Sequence, residues 1–482
     1  MKNGNELLHN REEWLKKYKK QFILLSAIYL MASLAIIRAN FSYVDDIGRA
    51  HAGYHGWLDW SRWSTEALAT FVHAGWYLTD ISPLPQIMAC IIMAIGGAIL
   101  LELFRNGEKV GLWNVTAASL TGLAPYFLGI ISYKFDSPYM ALSFLVSVIP
   151  FLFRTRSKKI YVISSLACLL IMCTTYQASS GVYPMIVLFL VVQDIVSGEK
   201  LKKELEFIGI SAACFFASLG IFWLLLMREN GVTVPVASDF ISIVVSRYIA
   251  YYKMIYSDYT KTWLILLMLI IVIYLYVIYR TAVVRKAFAV LMGMLSVLLG
   301  SGLCFGAYLF ISEEAFDARA MYGFQVFITL MAIYISFHGR YWLSKLPYVA
   351  LAWSFLIFSL TYGNALVQQQ DYRDYRIVLL AGDLNSLDIM KTDEIKKIRV
   401  DGDIGLSPVV ANMSEAYPLL GRTVFTGFSE GFWGVYYFCH YLDMPNVEVV
   451  TDESECRDLP VIKDTMYHRI SGDASHILIE LK

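Results

Sequence analysis

Two carboxylates side by side, Asp45 and Asp46, follow the first long apolar run of this 482-residue chain, and Arg49 stands one helical turn further on. At the mouth of a membrane, partial desolvation and mutual repulsion both disfavour full ionisation of such a pair, so that one carboxylate can accept a proton while the other stays charged. Arg49 is the counter-ion within reach. Adjacent carboxylates can also share a divalent cation, although nothing else in the chain requires a cofactor. The ordinary alternative is an acidic pair in a solvated loop. A second charged turn, Ser132 to Pro138, carries Lys134 and Asp136 between two apolar runs, where ionisable groups are costly enough to be functional candidates, unless they form a surface pair of little worth. Tyr176 and Gln177 bring neutral hydrogen-bonding groups to the same side. In the turn Ser312 to Arg319, Arg319 reaches headgroup depth, and a guanidinium grips phosphate with two parallel hydrogen bonds. Snorkelling, or pairing with Glu313 or Glu314, is the competing use of that side chain. Arg228, Arg247 and Lys253, in another external loop, compete for the phosphate role.

The elements that must hold these residues are membrane helices. The chain is 57% hydrophobic and 17% charged, against about a quarter charged in ordinary globular domains. Forty basic residues balance forty acidic ones, which leaves no overall field to recruit nucleic acid. Apolar runs long enough to cross a bilayer number about eleven. They begin near Phe22, Leu84, Leu112, Ser137, Ile160, Gly181, Phe207, Trp263, Ala287, Ala320 and Leu346, and the last ends near Leu366. No cleavable leader pattern precedes the first, which is expected to remain as an anchor. Lys16, Lys17, Lys19 and Lys20, then Arg154, Arg156, Lys158 and Lys159, then Lys200, Lys202 and Lys203, then Arg280, Arg285 and Lys286 all fall on one side of an alternating count. The positive-inside rule makes that side cytoplasmic, N-terminus included. An odd number of spans places the tail from about 367 to 482 outside, and its alternation of short apolar stretches with turn signals reads as a small α/β domain. Residues 1–366 are then the polytopic unit. Two external loops, 40–83 and 228–262, are too long to be mere connectors. The aromatic residues of the first, among them Tyr54 and Trp57, suit helices lying along the membrane surface.

Nucleotide-driven chemistry finds no support. The chain lacks a Walker-type phosphate loop, a dinucleotide glycine pattern, a His-Glu-x-x-His motif and any zinc-type cysteine spacing, and His51, His55 and His73 are not spaced as a ligand set. Five cysteines sit in apolar runs. Cys439 and Cys456 lie in the tail, in a compartment that oxidises thiols if the tail is external, and are expected to form a disulfide.

The segment Asp45-Asp46-Ile-Gly-Arg49, with Gly53-Tyr54, Trp57, Ser61-Arg62 and Thr79 to Gln86, resembles the N-terminal signature of the Gtr-type serotype-specific glucosyltransferases, the glucosyltransferase II family. Ser132 to Pro138, Tyr176-Gln177 and Arg319 to Gly323 resemble further family positions, and the resemblance fades beyond Leu366. It implies a GT-C class membrane enzyme of the bacterial inner membrane that moves glucose, with inversion, from undecaprenyl phosphate glucose to a surface polysaccharide such as O-antigen. On that basis Asp45 or Asp46 would be the base and Asp136 an auxiliary acid or acceptor ligand. Arg319 would be the phosphate clamp, with Arg49 and Arg62 as second choices, while Tyr54, Trp57, Lys134, Tyr176 and Gln177 would meet substrate. A flippase or secondary transporter of lipid-linked glycans is the rival from another class, but no paired halves with broken helices are visible. A polysaccharide polymerase or ligase is the closer rival.

Overall fold

A computed structural model describes residues 2–228, 240–311, 316–391, 394–441, 444, 446–450, 456 and 459–482, with side chains from Lys19 onward. Glu313 and Glu314, and much of the 228–262 loop before Phe240, lie outside the described residues.

Among the described residues, eight helices are long and apolar enough to cross a membrane. They are carried by α1 (Lys2–Ala39), α4 (Leu84–Phe104), α8 (Lys158–Thr175), α9 (Val182–Val196), α10 (Leu201–Ile221), α12 (Lys261–Thr281), α13 (Lys286–Leu303) and α15 (Leu346–Asn385). A ninth is the bent pair α5 (Leu112–Leu123) and α6 (Pro125–Ser132), broken by 53°. Pro125 opens α6 and has no N–H to continue the helical ladder, which accounts for the break. Two shorter apolar helices, α7 (Ser137–Val148, extended by a turn to Phe153) and α14 (Gly323–His338), complete the membrane-like part. Each apolar run read from the sequence coincides with one of these helices. The count by length and composition is nevertheless eight or nine rather than eleven, because α7 and α14 are too short to qualify.

The helices form one large core. α1 packs along α4 and α15, α4 on α7, and α5 on α14 and α15. Between α1 and α15 the backbones nearly touch: a Cβ at Gly363 would lie 2.4 Å from the Ala35 carbonyl carbon. Small residues let membrane helices approach in this way.

Three further helices complete this part of the chain: α2 (Asp45–Ala52) and α3 (Trp63–Val72) in the first long loop, and α11 (Phe240–Asp258) in the second. The tail holds a five-stranded sheet of β1 (Lys396–Asp401), β2 (Val447–Val449), β3 (Val461–Asp464), β4 (His468–Gly472) and β5 (His476–Leu481), in the order β2-β1-β5-β4-β3. β1 runs parallel to both its neighbours, and β4 antiparallel to both of its own. Helices α16 (Pro408–Ala416), α17 (Leu419–Thr423) and α18 (Phe432–Tyr436) accompany it, so the tail is the small α/β unit expected.

Two features tie tail to membrane helices. α15 runs unbroken for 40 residues, past Leu366, and its polar end buries Ile377, Leu380 and Leu384 against Ile398, Ile470, Ile477 and Ile479 of the sheet. In the other direction, Val410, Leu419, Leu420 and Val424 of the α16–α17 segment are part of the large helical core.

Cys439 and Cys456, expected to form a disulfide, are both buried. Cys439 packs in the tail core with Phe428 and Phe438 as a small hydrophobe, and burial pushes its thiol up to about 12.

Candidate functional site

The two adjacent aspartates take opposite roles in the structure. Asp46 is fully buried, and its oxygens accept from three backbone N–H groups: Lys134 at 2.9 Å, Phe135 at 3.3 Å and Tyr43 at 3.3 Å. It therefore fastens the start of α2 to the turn between α6 and α7. Burial pushes its carboxyl up to about 7, against the opposing pull of the Lys134 N–H and ammonium. Asp45, its neighbour, is half-buried and has no hydrogen-bond or ion-pair partner among the described residues. Desolvation raises its pKa above the ordinary carboxylate value, with Arg49 pulling the other way. Val44, which aims the pair, sits at φ 49°, a conformation that β-branched residues avoid and that costs energy wherever it persists.

Asp136 is the hub beneath them. Its carboxylate pairs with the Arg49 guanidinium, accepts the Trp57 indole N–H at 2.6 Å and lies 3.9 Å from Arg62. Burial would raise its pKa, but Arg49, Arg62, the Trp57 N–H and Arg319 outweigh burial and hold it below the usual range. Arg49 is further confined over the Trp57 ring at 4.4 Å and by the His55 carbonyl. These three side chains are thus engaged with one another. Trp57, expected against a sugar, is wholly buried and has no open face. Lys134 is likewise turned inward, to Asp80 at 2.7 Å and Asn40 at 3.2 Å.

Across from Asp45 the cations are less occupied. Arg319, in the turn Ala318–Ala320, lies over the Tyr133 ring at 4.0 Å and reaches Asp317 at 3.6 Å. Its Nη1 is buried with no hydrogen-bond partner among the described residues, and the same holds for Nε of Arg62. Arg62 lies over the Tyr176 ring at 5.1 Å. Desolvation works against the charge on Arg319, but Tyr133, Tyr176, Asp317 and Asp45 outweigh it and raise its pKa. Gln177 donates to the Trp60 carbonyl at 3.2 Å, while Tyr54 is 38% exposed. Burial and Asp45 push the Tyr54 hydroxyl up to about 12, against Arg49.

The structure thus brings Asp45, Asp46, Arg49, Arg62, Asp136, Tyr176 and Arg319 into one cluster. It adds residues that the sequence did not single out. Tyr308 lies within electrostatic reach of Arg62, Arg319 and Tyr176. Arg422, from α17, forks onto Asp258 at 2.9 and 2.5 Å and donates to the Phe316 carbonyl, beside the turn that carries Arg319. Tyr126 donates to the same Asp258 at 2.7 Å. A lone tyrosine in an apolar run and an arginine in the tail carry no local signal of such placement.

A metal shared by Asp45 and Asp46 does not fit this geometry, because the Asp46 oxygens are already directed at backbone donors. No group of three or more His, Cys, Asp or Glu side chains converges among the described residues. His51 meets the Tyr436 hydroxyl at 2.9 Å, His55 meets the Trp76 carbonyl at 2.7 Å and His73 stacks on Phe135, so the histidines go separate ways.

A bundle of apolar helices long enough to cross a membrane, with an acid and arginine cluster at one end of its short helix α7, is the architecture of a polytopic membrane protein. Comparison with known families is specific: the chain belongs to the Glucosyl transferase GtrII family, whose family model matches residues 34–330. It is also similar to an uncharacterized 55.3 kDa protein in the gtrB 5' region of Salmonella phage P22, with 25% identity over 183 residues. That match covers 38% of this chain and 36% of the phage protein, so the chain aligns with little more than a third of that relative. No solved structure matches.

Proposed function

We propose that this chain transfers glucose, with inversion, from undecaprenyl phosphate glucose to a hydroxyl of a surface polysaccharide such as O-antigen, on the external face of the bacterial inner membrane. In this reading residues 1–366 form the membrane transferase unit and residues 367–482 lie outside the cytoplasm. Asp45 is the general base. It takes the proton of the acceptor hydroxyl as that oxygen bonds to the sugar's C1, and the bond from C1 to the phosphate oxygen breaks. Undecaprenyl phosphate departs with the electron pair. Arg319, with Arg62 beside it, receives the phosphate and stabilises the charge that grows there. Asp46 and Asp136 are positioning residues: the first clamps α2 to the α6–α7 turn, the second fixes Arg49, Trp57 and Arg62. Tyr54 borders the sugar, while Tyr176, itself buried, backs the Arg62 guanidinium.

The observation that carries this reading is the pairing of an unpartnered, half-buried carboxylate with a guanidinium whose Nη1 is buried and unpartnered among the described residues. Both lie within the family-matched stretch. A buried donor or acceptor left without a partner costs free energy, which a substrate recovers on binding. Placement on the external face is supported by the basic loops, since Arg154, Arg156, Lys158 and Lys159 lie at the end of α7 opposite Asp136.

The test is to incubate purified protein in detergent with undecaprenyl phosphate glucose and a panel of bacterial O-polysaccharides, and to look for glucose in the glycan. Transfer that disappears in Asp45→Asn is expected. Absence of transfer to every glycan, or full turnover in Asp45→Asn, refutes the assignment.

A further inference from the structure

The face of α2 that carries Asp45 is walled by residues from the far end of the chain. Asp45, Gly48 and His51 follow one another at three-residue spacing, so they share that face. Gly48 meets Trp433 and Tyr54: a Cβ there would lie 2.6 Å from Trp433 Cζ3 and 2.9 Å from Tyr54 Cε1. A glycine is what allows two aromatic rings to press against the helix one turn from Asp45. His51 continues the contact through the Tyr436 hydroxyl at 2.9 Å and lies 5.5 Å from the His440 ring. Phe432 packs edge-on to Trp433 at 5.0 Å, and Trp433 edge-on to Tyr436 at 5.9 Å. This ledge is not a closed core. Phe432 is 68% exposed, and Tyr54 on the other side of Gly48 is 38% exposed.

Building on the transferase reading, we infer that Phe432, Trp433 and Tyr436, together with Tyr54, form the acceptor subsite, a stacking surface for pyranose rings of the polysaccharide whose hydroxyl is presented to Asp45. Three observations converge on it. Rigid aromatic rings supply large contact area at small entropic cost and suit the apolar faces of sugars, whereas the donor phosphate calls for cations. The ledge touches the helix that carries Asp45, while Arg319 and Arg62, two cations with buried unpartnered atoms among the described residues, belong to the Tyr133 and Tyr176 side. Finally, the family match ends at residue 330, so a shared donor machinery is here completed by a wall from outside the matched region. Acceptor choice therefore resides in the tail and not in the membrane helices.

The experiment separates the two substrates. With undecaprenyl phosphate glucose as donor and an O-polysaccharide that the wild type glucosylates as acceptor, Trp433→Ala and Phe432→Ala are each titrated in both. Trp433→Ala is expected to raise the apparent KM for the glycan about tenfold, the size of one lost stacking contact, while the apparent KM for the donor stays within about twofold. Trp433→Phe, which keeps a ring, is expected to restore most of the glycan affinity. An unmoved glycan KM in both alanine variants overturns the inference, as does an equal rise in both KM values, which marks a merely structural role. If the wild type transfers to no O-polysaccharide, the transferase reading fails by itself. Retention of the same glycans on immobilised protein then decides the ledge, and equal retention by wild type and Trp433→Ala overturns it.

Discussion

The two ends of α7 hold two clusters of arginine and carboxylate that differ in how far their cations are enclosed. At the C-terminal end Arg154 pairs with Asp194 and with Glu204 at 2.9 Å, and its guanidinium lies over the Phe207 ring at 4.0 Å. One cation is enclosed by two anions and a ring, and the cluster ties the end of α7 to α9 and α10. At the N-terminal end Asp136 is enclosed just as tightly by Arg49, Arg62 and Trp57, but the cluster continues to Asp45 and Arg319, where a carboxylate and a guanidinium nitrogen lack partners among the described residues. The C-terminal cluster is not complete either, since Glu204 Oε1 is buried without a hydrogen-bond partner among the described residues, but its cation is enclosed and holds helices together. Charge left unpaired in a half-buried place is destabilising by itself and makes sense where something else binds.

The sharpest way to break the comparison is at Asp45. Asp45→Asn is expected to lower transfer by about 10² to 10⁴ with insertion and melting unchanged, the usual contribution of a general base. Asp46→Asn acts differently. An amide cannot accept from three backbone donors without turning its own N–H toward one of them, so this variant melts earlier, and its residual fraction keeps the chemistry. If Asp46→Asn proves stable and inactive while Asp45→Asn turns over, the roles are exchanged.

At the other end, Arg154→Met leaves Asp194 and Glu204 without their cation and is expected to cost about 3 kcal/mol of stability, read by thermal unfolding in detergent. Donor and acceptor KM values of the surviving protein remain those of the wild type. A donor effect as large as that of Arg319 variants would erase the distinction between the two ends. Smaller still is the change expected from Arg319→Lys: about tenfold in apparent donor KM with glycan KM unmoved, because a point charge replaces a planar fork. The smallest effect is in the pH profile. Asp45 works as a base only when deprotonated, so kcat/KM falls as pH drops through its folded pKa. Burial sets that inflection above the ordinary aspartate value of about 4. Arg319 lowers the Asp45 pKa, so Arg319→Gln moves the inflection to higher pH, and an unmoved inflection would separate the two groups.

Much of this was legible beforehand, for a physical reason. Lipid tolerates little backbone other than helix, so apolar runs announce helices, and charges placed between those runs stand out. Asp45, Asp46, Asp136 and Arg319 were found that way, and they do come together. What could not be read was which aspartate is engaged, because the answer lies in N–H groups of Lys134 and Phe135, 88 and 89 residues away. Trp57 illustrates the same limit: its ring suited an interface, but a carboxylate supplied by Asp136 drew its N–H inward. Length and composition qualify eight or nine of the eleven apolar runs as spans among the described residues, since α7 and α14 are apolar but short. Arg422 and Tyr308 gave no signal at all, being ordinary residues made relevant by tertiary contact.

The hydrogen bond between His51 and Tyr436 joins residues 385 positions apart, and that separation has a meaning in time as well as in space. At ordinary translation rates of about 5 to 20 residues per second, α2 waits roughly 20 to 80 s after its own synthesis before the residues that wall it are made. Arg319 is itself made only as the last third of that interval begins, and from then on Asp45 and Arg319 can both exist while the ledge does not. If the ledge is the acceptor subsite proposed above, a nascent or prematurely terminated chain has no surface with which to select a glycan.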